Sequence, residues 1–326
     1  MILIHTILNV TVGIGNFSRC YSIFKQLEMD GEECIFLVEG NQELVSQFDL
    51  TNIIFIIEND TIFSLLHRHT GIFVIDIPVA PLALVYFYRE RREKVISIND
   101  QYALDIEPSI YINGDNSKNY IFNNTRKYAG AEYQIIRNDL KTYRPLIYPT
   151  LHQIRNIGIM FGGSDPGLLT EKFINELQGN DYYGFTFHIF LGSGISKNRK
   201  LSLKSKTLFN VIYIDNKLVA DFFNEIDVLI TMGGITSYEA MYVGVPVLSI
   251  EWKYMGQYVS YLGSLGLLVN LGDFNDETLT KLVHALSNLE NINRIGQYAF
   301  ETINGYGLNK VCSIILARQR ELGLDK

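Results

Sequence analysis

Short, β-branched apolar runs alternate along the chain with segments whose apolar residues recur at helical spacing. ILIHTILNV (2–10) reads as a strand and NFSRCYSIFKQLEMDG (16–31) as a helix, with Asn16 or Ser18 near its cap and Gly31 as its stop. ECIFLVEG (33–40), TNIIFIIE (51–58), GIFVIDIPV (71–79) and KVISIND (94–100) read as further strands. The pattern then restarts. RNIGIMFGGSDP (155–166) is a strand ending in a Gly-rich turn, followed by the helical LLTEKFINEL. GFTFHIFLGS, LFNVIYID, DVLITMGG and VPVLSIE continue as strands, with the helix TSYEAMYVG between the last two. Near-continuous apolar strands alternating with helices predict parallel sheets covered on both faces.

Two such α/β units fit 326 residues better than one core does. The boundary is expected in KTYRPLIYPTLHQIRN (141–156), where Pro145 and Pro149 interrupt any regular element. The chain thus divides into residues 1–148 and residues 149–326, with the last helix, Leu308 to Leu322, able to pack on either half. Two doubly wound domains facing each other would leave a ligand cleft at the carboxyl ends of their strands.

Composition narrows the class. Hydrophobic residues make up 47%, enough for substantial cores, and the net charge is −7. A nucleic-acid partner is not expected, because the dense basic run recognised, Arg89-Glu90-Arg91-Arg92-Glu93-Lys94, is diluted by acids. Three scattered cysteines, Cys20, Cys34 and Cys312, suit a reduced cytoplasm and neither a disulfide framework nor a zinc site. Met1 to Val10 lacks the flanks of a signal peptide, and no apolar run reaches the ~20 residues of a membrane span. A cytoplasmic protein is the expectation. His67 and His69, two apart in an apparent loop, read as surface residues; His5, His152, His188 and His284 read as structural ones. No metal or cofactor is expected.

Candidate chemistry lies in three Gly-rich turns at the carboxyl ends of strands. Gly13-Ile14-Gly15 precedes the first helix, where free N–H groups and the helix dipole suit an anion. It is not a full GxGxxG, and after the second strand only Glu39 comes close to a ribose-binding acid, so a plain βα turn competes evenly with phosphate binding. Gly162-Gly163-Ser164-Asp165-Pro166 repeats the pattern, and Met232-Gly233-Gly234-Ile235-Thr236-Ser237 repeats it again. At the last turn, backbone N–H groups and the hydroxyls of Thr236 and Ser237 could cradle a diphosphate, with Glu239 accepting from a ribose hydroxyl or serving only as a helix-start acid.

At these turns the sequence resembles the PseG/SpsG group of GT-B-fold proteins. That group includes the UDP-diacetamido-trideoxy-altropyranose hydrolase of pseudaminic acid synthesis and a related spore-coat polysaccharide protein. More distantly the sequence is similar to MurG-type glycosyltransferases. GIGNFSRC resembles the family's G-x-G-H-x-x-R-C at every fixed position except the histidine. YAGAEYQIIRNDL looks like its G-x-x-Y-x-x-L-R, with Arg137 as the arginine, and IMFGGSDP matches F-G-G-S-D-P. TMGGITSYEAMYVGVPVLSI and INGYGLNKV resemble the remaining motifs. The resemblance implies two Rossmann-like domains with a nucleotide sugar between them. Gly233, Gly234, Thr236, Ser237 and Glu239 would hold phosphate and ribose, beside Gly162, Gly163 and Ser164. Gly13, Gly15, Arg19, Arg137 and Gln257 would lie on the sugar side.

Two departures bear on the reaction. Asn16 stands where the family's histidine base is expected, and an amide cannot take a proton at neutral pH. The family's Asn–Gln pair reads Gly256-Gln257. Asp100, Asp76 and Glu251 end predicted strands and are candidate substitute bases. Three readings stay open: a UDP-sugar hydrolase, an inverting glycosyltransferase with a glycan, lipid-linked or protein acceptor, and a nucleotide-sugar-binding protein without turnover. A Rossmann-type oxidoreductase lacks its fingerprint.

Overall fold

The computed structural model describes the whole chain except residues 10–13, 46–47, 57–58, 99–102, 115–119, 179–183, 216 and 325–326. The chain forms two compact units, Met1–Arg137 with Gly305–Lys326, and Asn138–Asn304.

The first unit carries seven parallel strands: β1 (Ile2–Leu8), β2 (Cys34–Gly40), β3 (Ile53–Ile56), β4 (Ile72–Asp76), β5 (Val95–Ile98), β6 (Ile110–Asn113) and β7 (Arg126–Ala129). Their order is β3-β2-β1-β4-β5-β6-β7. Helices α1 (Gly15–Met29), α2 (Asn59–Arg68), α3 (Leu82–Glu90) and α4 (Ala103–Ile106) connect them. Strand register explains the sorting of side chains. Ile2, Ile4, Val38 and Val74 face α1 residues Phe17, Ile23 and Phe24, whereas Leu3, Leu37, Phe73 and Ile75 face Leu66 of α2 and Leu84 and Tyr88 of α3. α1 starts at Gly15 behind Ile14, which makes no side-chain cap. The expected cap at Asn16 or Ser18 is therefore displaced into the helix, and both side chains are available for other contacts.

The second unit carries six parallel strands: β8 (Asn156–Ile159), β9 (Thr186–Leu191), β10 (Val211–Asp215), β11 (Val228–Thr231), β12 (Val247–Glu251) and β13 (Val269–Asp273), in the order β10-β9-β8-β11-β12-β13. Its helices are α5 (Leu169–Leu177), α6 (Lys197–Lys204), α7 (Val219–Phe223), α8 (Ile235–Val243), α9 (Gly256–Ser264), α10 (Thr278–Ser287) and α11 (Leu289–Thr302). Its first strand in sequence lies inside the sheet, and the order reverses between β8 and β11, as it does between β1 and β4 in the first unit. Ligands of open α/β sheets bind at such reversals, outside the carboxyl ends of the strands.

The divide between units falls at Arg137/Asn138, not at 148/149. Residues 138–148 are held by the second unit. The Tyr143 hydroxyl donates to Asp221 at 2.8 Å, and Arg144 donates to the carbonyls of Tyr242, Phe300 and Ile303 while stacking on the Phe300 ring. One guanidinium thus satisfies carbonyls at the ends of α8 and α11, where helices leave acceptors unpaired.

The last helix, α12 (Gly307–Glu321), belongs to the first unit. Leu308, Val311, Cys312 and Ile315 complete the core beside α1. Burial of each aliphatic there is worth about 2 kcal/mol. Gly307 has to be glycine: a Cβ would stand 2.0 Å from the Gln134 carbonyl oxygen. Among the described residues, no helix is long and apolar enough to cross a membrane.

Candidate functional site

In the second unit, the loops after β8 and β11 leave neighbouring strands at the reversal. Gly162 (φ +72°) abuts Met232: a Cβ on the glycine would meet the Met232 methyl at 3.2 Å. Gly233 and Gly234 have φ of +89° and +78°, a region that favours glycine. Their turn is also tightly covered, since a Cβ on Gly233 would lie 2.9 Å from Val259 and one on Gly234 would lie 3.2 Å from Met255. The two glycines therefore serve both backbone conformation and close approach.

Gly234 caps α8, so Ile235, Thr236 and Ser237 form the first turn of that helix. The first N–H groups of a helix have no intrahelical acceptor and attract anions. Thr236 is half-buried, and Ser237 is fully buried. The Ser237 hydroxyl has no hydrogen-bond partner among the described residues, and neither does that of Thr231 at the end of β11. Glu239 is buried one turn further along. Gln257 is exposed in the first turn of α9, two residues after Met255.

The β8 loop is held from beneath. Asp165 is buried at φ +44° and accepts from the N–H groups of Leu169 and Thr170, capping the start of α5. Arg199 of α6 donates to the Asp165 carboxylate, to both oxygens of Glu171 and to the carbonyls of Ser164 and Asp165. Burial pushes the Asp165 carboxyl up, while the Thr170 and Leu169 hydrogen bonds and the Arg199 charge pull it down. Gly162, Gly163 and Ser164 are left half-exposed above this clamp. The sequence shows the Gly-Gly-Ser-Asp-Pro run but not Arg199, which stands 34 residues beyond Asp165.

In the first unit, Asp76 ends β4 beside β1. It is completely buried and fully engaged. The Asn16 amide donates to one carboxylate oxygen at 2.7 Å, and Arg19 donates to the other through Nε at 2.7 Å and Nη2 at 2.6 Å. Burial raises the Asp76 carboxyl pKa, opposed by the Arg19 charge and by hydrogen bonds from Arg19 and Asn16. A carboxylate so occupied is no free base, which removes Asp76 from that role. Glu251 is similarly committed, accepting from Ser260 at 2.5 Å and Asn270 at 2.6 Å. Asp100 and Gly13 lie outside the described residues. Gly15 opens α1, and Arg137 is half-buried at the last position of the first stretch of this unit.

The histidines hold two corrections. His69 is buried, with Nε2 2.9 Å from the Ile72 carbonyl and its ring edge-on to Phe73. Burial lowers its pKa. His67 is exposed on the last turn of α2 rather than in a loop. His5 is buried in β1, between the Tyr88 hydroxyl at 2.6 Å and the Glu39 carboxylate at 2.9 Å. Glu39 is thus bound to a histidine.

No family model matches the chain. It is 25% identical over 323 residues to an uncharacterised protein of Methanocaldococcus jannaschii, a match covering 89% of this chain and 66% of that one. It is 30% identical over 173 residues to the spore coat polysaccharide biosynthesis protein SpsG of Bacillus subtilis, covering 52% of this chain and 49% of SpsG. The chain therefore spans just under two thirds of the first relative's length and about half of the second's. Among solved structures it is similar to MurG of Acinetobacter baumannii, with a TM-score of 0.66, 13% identity, and coverage of 97% of this chain and 99% of that one. With its two parallel-sheet α/β units, the chain has the GT-B fold.

Proposed function

We propose that the protein is an enzyme that breaks the anomeric C–O bond of a nucleotide sugar, with UDP as the leaving group. The observation that carries this reading is the pair of adjacent Gly-rich loops at the β8/β11 reversal, where the buried Ser237 hydroxyl lacks a partner among the described residues at the start of α8. A diphosphate seated there would receive backbone N–H groups and the Thr236 hydroxyl, and would supply the acceptor that Ser237 lacks. Gly162, Gly163 and Ser164 would border it, and Glu239 would reach the ribose. These donors stabilise charge on the departing diphosphate, the usual source of rate in such sites. The half-chain similarity to SpsG and the GT-B fold support the same class.

The nucleophile attacks the anomeric carbon from the face opposite the diphosphate. The C–O electron pair leaves with the diphosphate, and the proton of the nucleophile passes to a base. Asn16 is not that base, but with its amide nitrogen held by Asp76 its carbonyl oxygen, which has no partner among the described residues, would accept from a hydroxyl. In a glycosyltransferase, Asn16 would in this way orient the acceptor hydroxyl, from a glycan, lipid-linked or protein acceptor, as it would orient water in a hydrolase. A PseG-type hydrolase is the alternative. Gly15, Arg19, Arg137 and Gln257 are assigned to the sugar side, and Asp100 is retained as the candidate base.

The test is a panel of UDP-, dTDP-, GDP- and CMP-sugars without acceptor, with nucleotide release and thermal shift followed together. UDP should stabilise the protein, and wild-type release should be slow. Asn16→His places an imidazole within reach of the Asp76 carboxylate, with its second nitrogen free. Hydrolysis should rise by on the order of 10²-fold if the site is built as proposed. Rapid release by the wild type would establish the hydrolase. Absence of a shift with every nucleotide would refute the assignment.

A further inference from the structure

The stretch with the larger net positive charge is not the Arg89–Lys94 run, where two acids offset four cations, but Lys197–Lys206, where five of ten residues are cationic and none is acidic. It forms α6 and the turn leading to β10, the outermost strand of the second sheet. Arg199 turns inward to Asp165 and Glu171 and is committed to the β8 loop. Four lysines remain. Lys200 and Lys204 share the single carboxylate of Asp215, Lys206 donates to the Asn175 amide oxygen, and Lys197 is exposed. On a protein with net charge −7, this edge is locally positive.

The same edge displays apolar side chains. Leu203 is the residue of α6 that enters the core. Leu201 is 67% exposed and lies on the outer stripe between Lys197 and Lys204, at i−4 and i+3. Phe209, in the turn before β10, is wholly exposed, and Ile212 on the strand is 48% exposed. The Tyr213 hydroxyl donates to the Lys206 carbonyl at 2.8 Å, fixing the turn that presents Phe209. The exposed start of α3, with Leu82 and Tyr86, is apolar too, but there Glu90, Glu93 and Glu107 offset the nearby arginines.

We propose that the α6–β10 edge docks on an anionic lipid surface, with Phe209 and Leu201 entering the interface and Lys197, Lys204 and Lys206 meeting lipid phosphates and carboxylates. Lysine matched with exposed aromatic and aliphatic side chains suits such a surface, since each cation adds attraction and each apolar group adds burial. An acidic protein with an apolar pocket would be the other occupant, and failure to bind anionic vesicles is the outcome that leaves it in place of the lipid. The proposal does not depend on the reaction assigned above.

The test is co-sedimentation of the whole protein with vesicles of equal parts phosphatidylcholine and phosphatidylserine, against pure phosphatidylcholine. Binding is expected to the mixed vesicles alone, and should fall steeply at about 0.5 M salt. The double variant Leu201→Ser/Phe209→Ser, and separately Lys197→Glu/Lys204→Glu, should each weaken binding by about tenfold or more. All four side chains are exposed, and an unchanged melting temperature would show that the variants fold. Failure to bind mixed vesicles, equal binding to both vesicle types, or undiminished binding by both variants would each overturn the proposal.

Discussion

Ser237 buries a hydroxyl without a partner among the described residues, and removing it should separate stability from binding. An unsatisfied buried polar group costs free energy, so Ser237→Ala should leave the melting temperature unchanged or raise it. The same change should weaken UDP binding by about tenfold, because a hydrogen bond to a charged group is lost. Calorimetric titration beside thermal unfolding reads both. Asp76 behaves in the opposite way. Asp76→Ala would strand the Arg19 guanidinium in a buried site, and a loss of about 3–5 kcal/mol is expected in denaturant unfolding. Asp76→Leu combined with Arg19→Met should recover most of it. If Asp76→Ala left stability intact and lowered only turnover, the pairing described here would be wrong. Sequence pointed to Asp76 as a strand-end acid. It could not show that Arg19, 57 residues earlier, occupies that acid, because the pair exists only once β4 lies beside β1.

At the level of elements, regular alternation revealed the long buried strands and hid the short or solvated ones. β6 and β7 have four residues each, and β7 (Arg-Lys-Tyr-Ala) is polar because it closes the sheet edge. β13 is likewise an edge strand, interrupted by Gly272 at φ +76°. β6 is buried at all four positions, but its apolar run, Ile-Tyr-Ile, is only three residues long, and β7 and β13 lack the run that marks a covered strand. The turn glycines were legible because their spacing survives without tertiary information. The side chains that press on them, Met232, Met255 and Val259, were not, and neither was Arg199, which holds the β8 loop through the Ser164 and Asp165 carbonyls. Attachment of α12 can be tested by pH. The two arginines beside Glu321, Arg126 and Arg318, hold its carboxyl down at about 2. A depressed carboxylate stabilises above its unfolded value and loses that contribution as pH falls toward the folded one. Wild type and Glu321→Gln should therefore differ in unfolding midpoint at neutral pH. The gap should close progressively between the ordinary carboxylate value and about 2.

On the scale of the whole molecule, the second unit is one continuous stretch, Asn138–Asn304, while the first is made of two pieces. The two-unit plan was readable because the strand–helix alternation restarts after residue 150. The position of the divide was not, because what ties residues 138–148 to the second unit is Arg144 reaching carbonyls about 100 to 160 residues away. A chain of residues 138–304 alone should fold and keep the UDP-dependent thermal shift, since the proposed diphosphate loops and Arg199 all lie within it. Loss of the shift in a folded fragment would place essential nucleotide contacts elsewhere.

The return of α12 to the first unit also sets an order of events on the ribosome. The β-sheet of residues 2–129 emerges before the second unit but lacks α12, which packs beside α1 in the same core, and the second unit is completed while that apolar face is still bare. Until residues 305–321 appear, the nascent chain presents surface that chaperones bind. Any product truncated before them carries a folded back half and an unfinished front, a form that cellular proteolysis would clear.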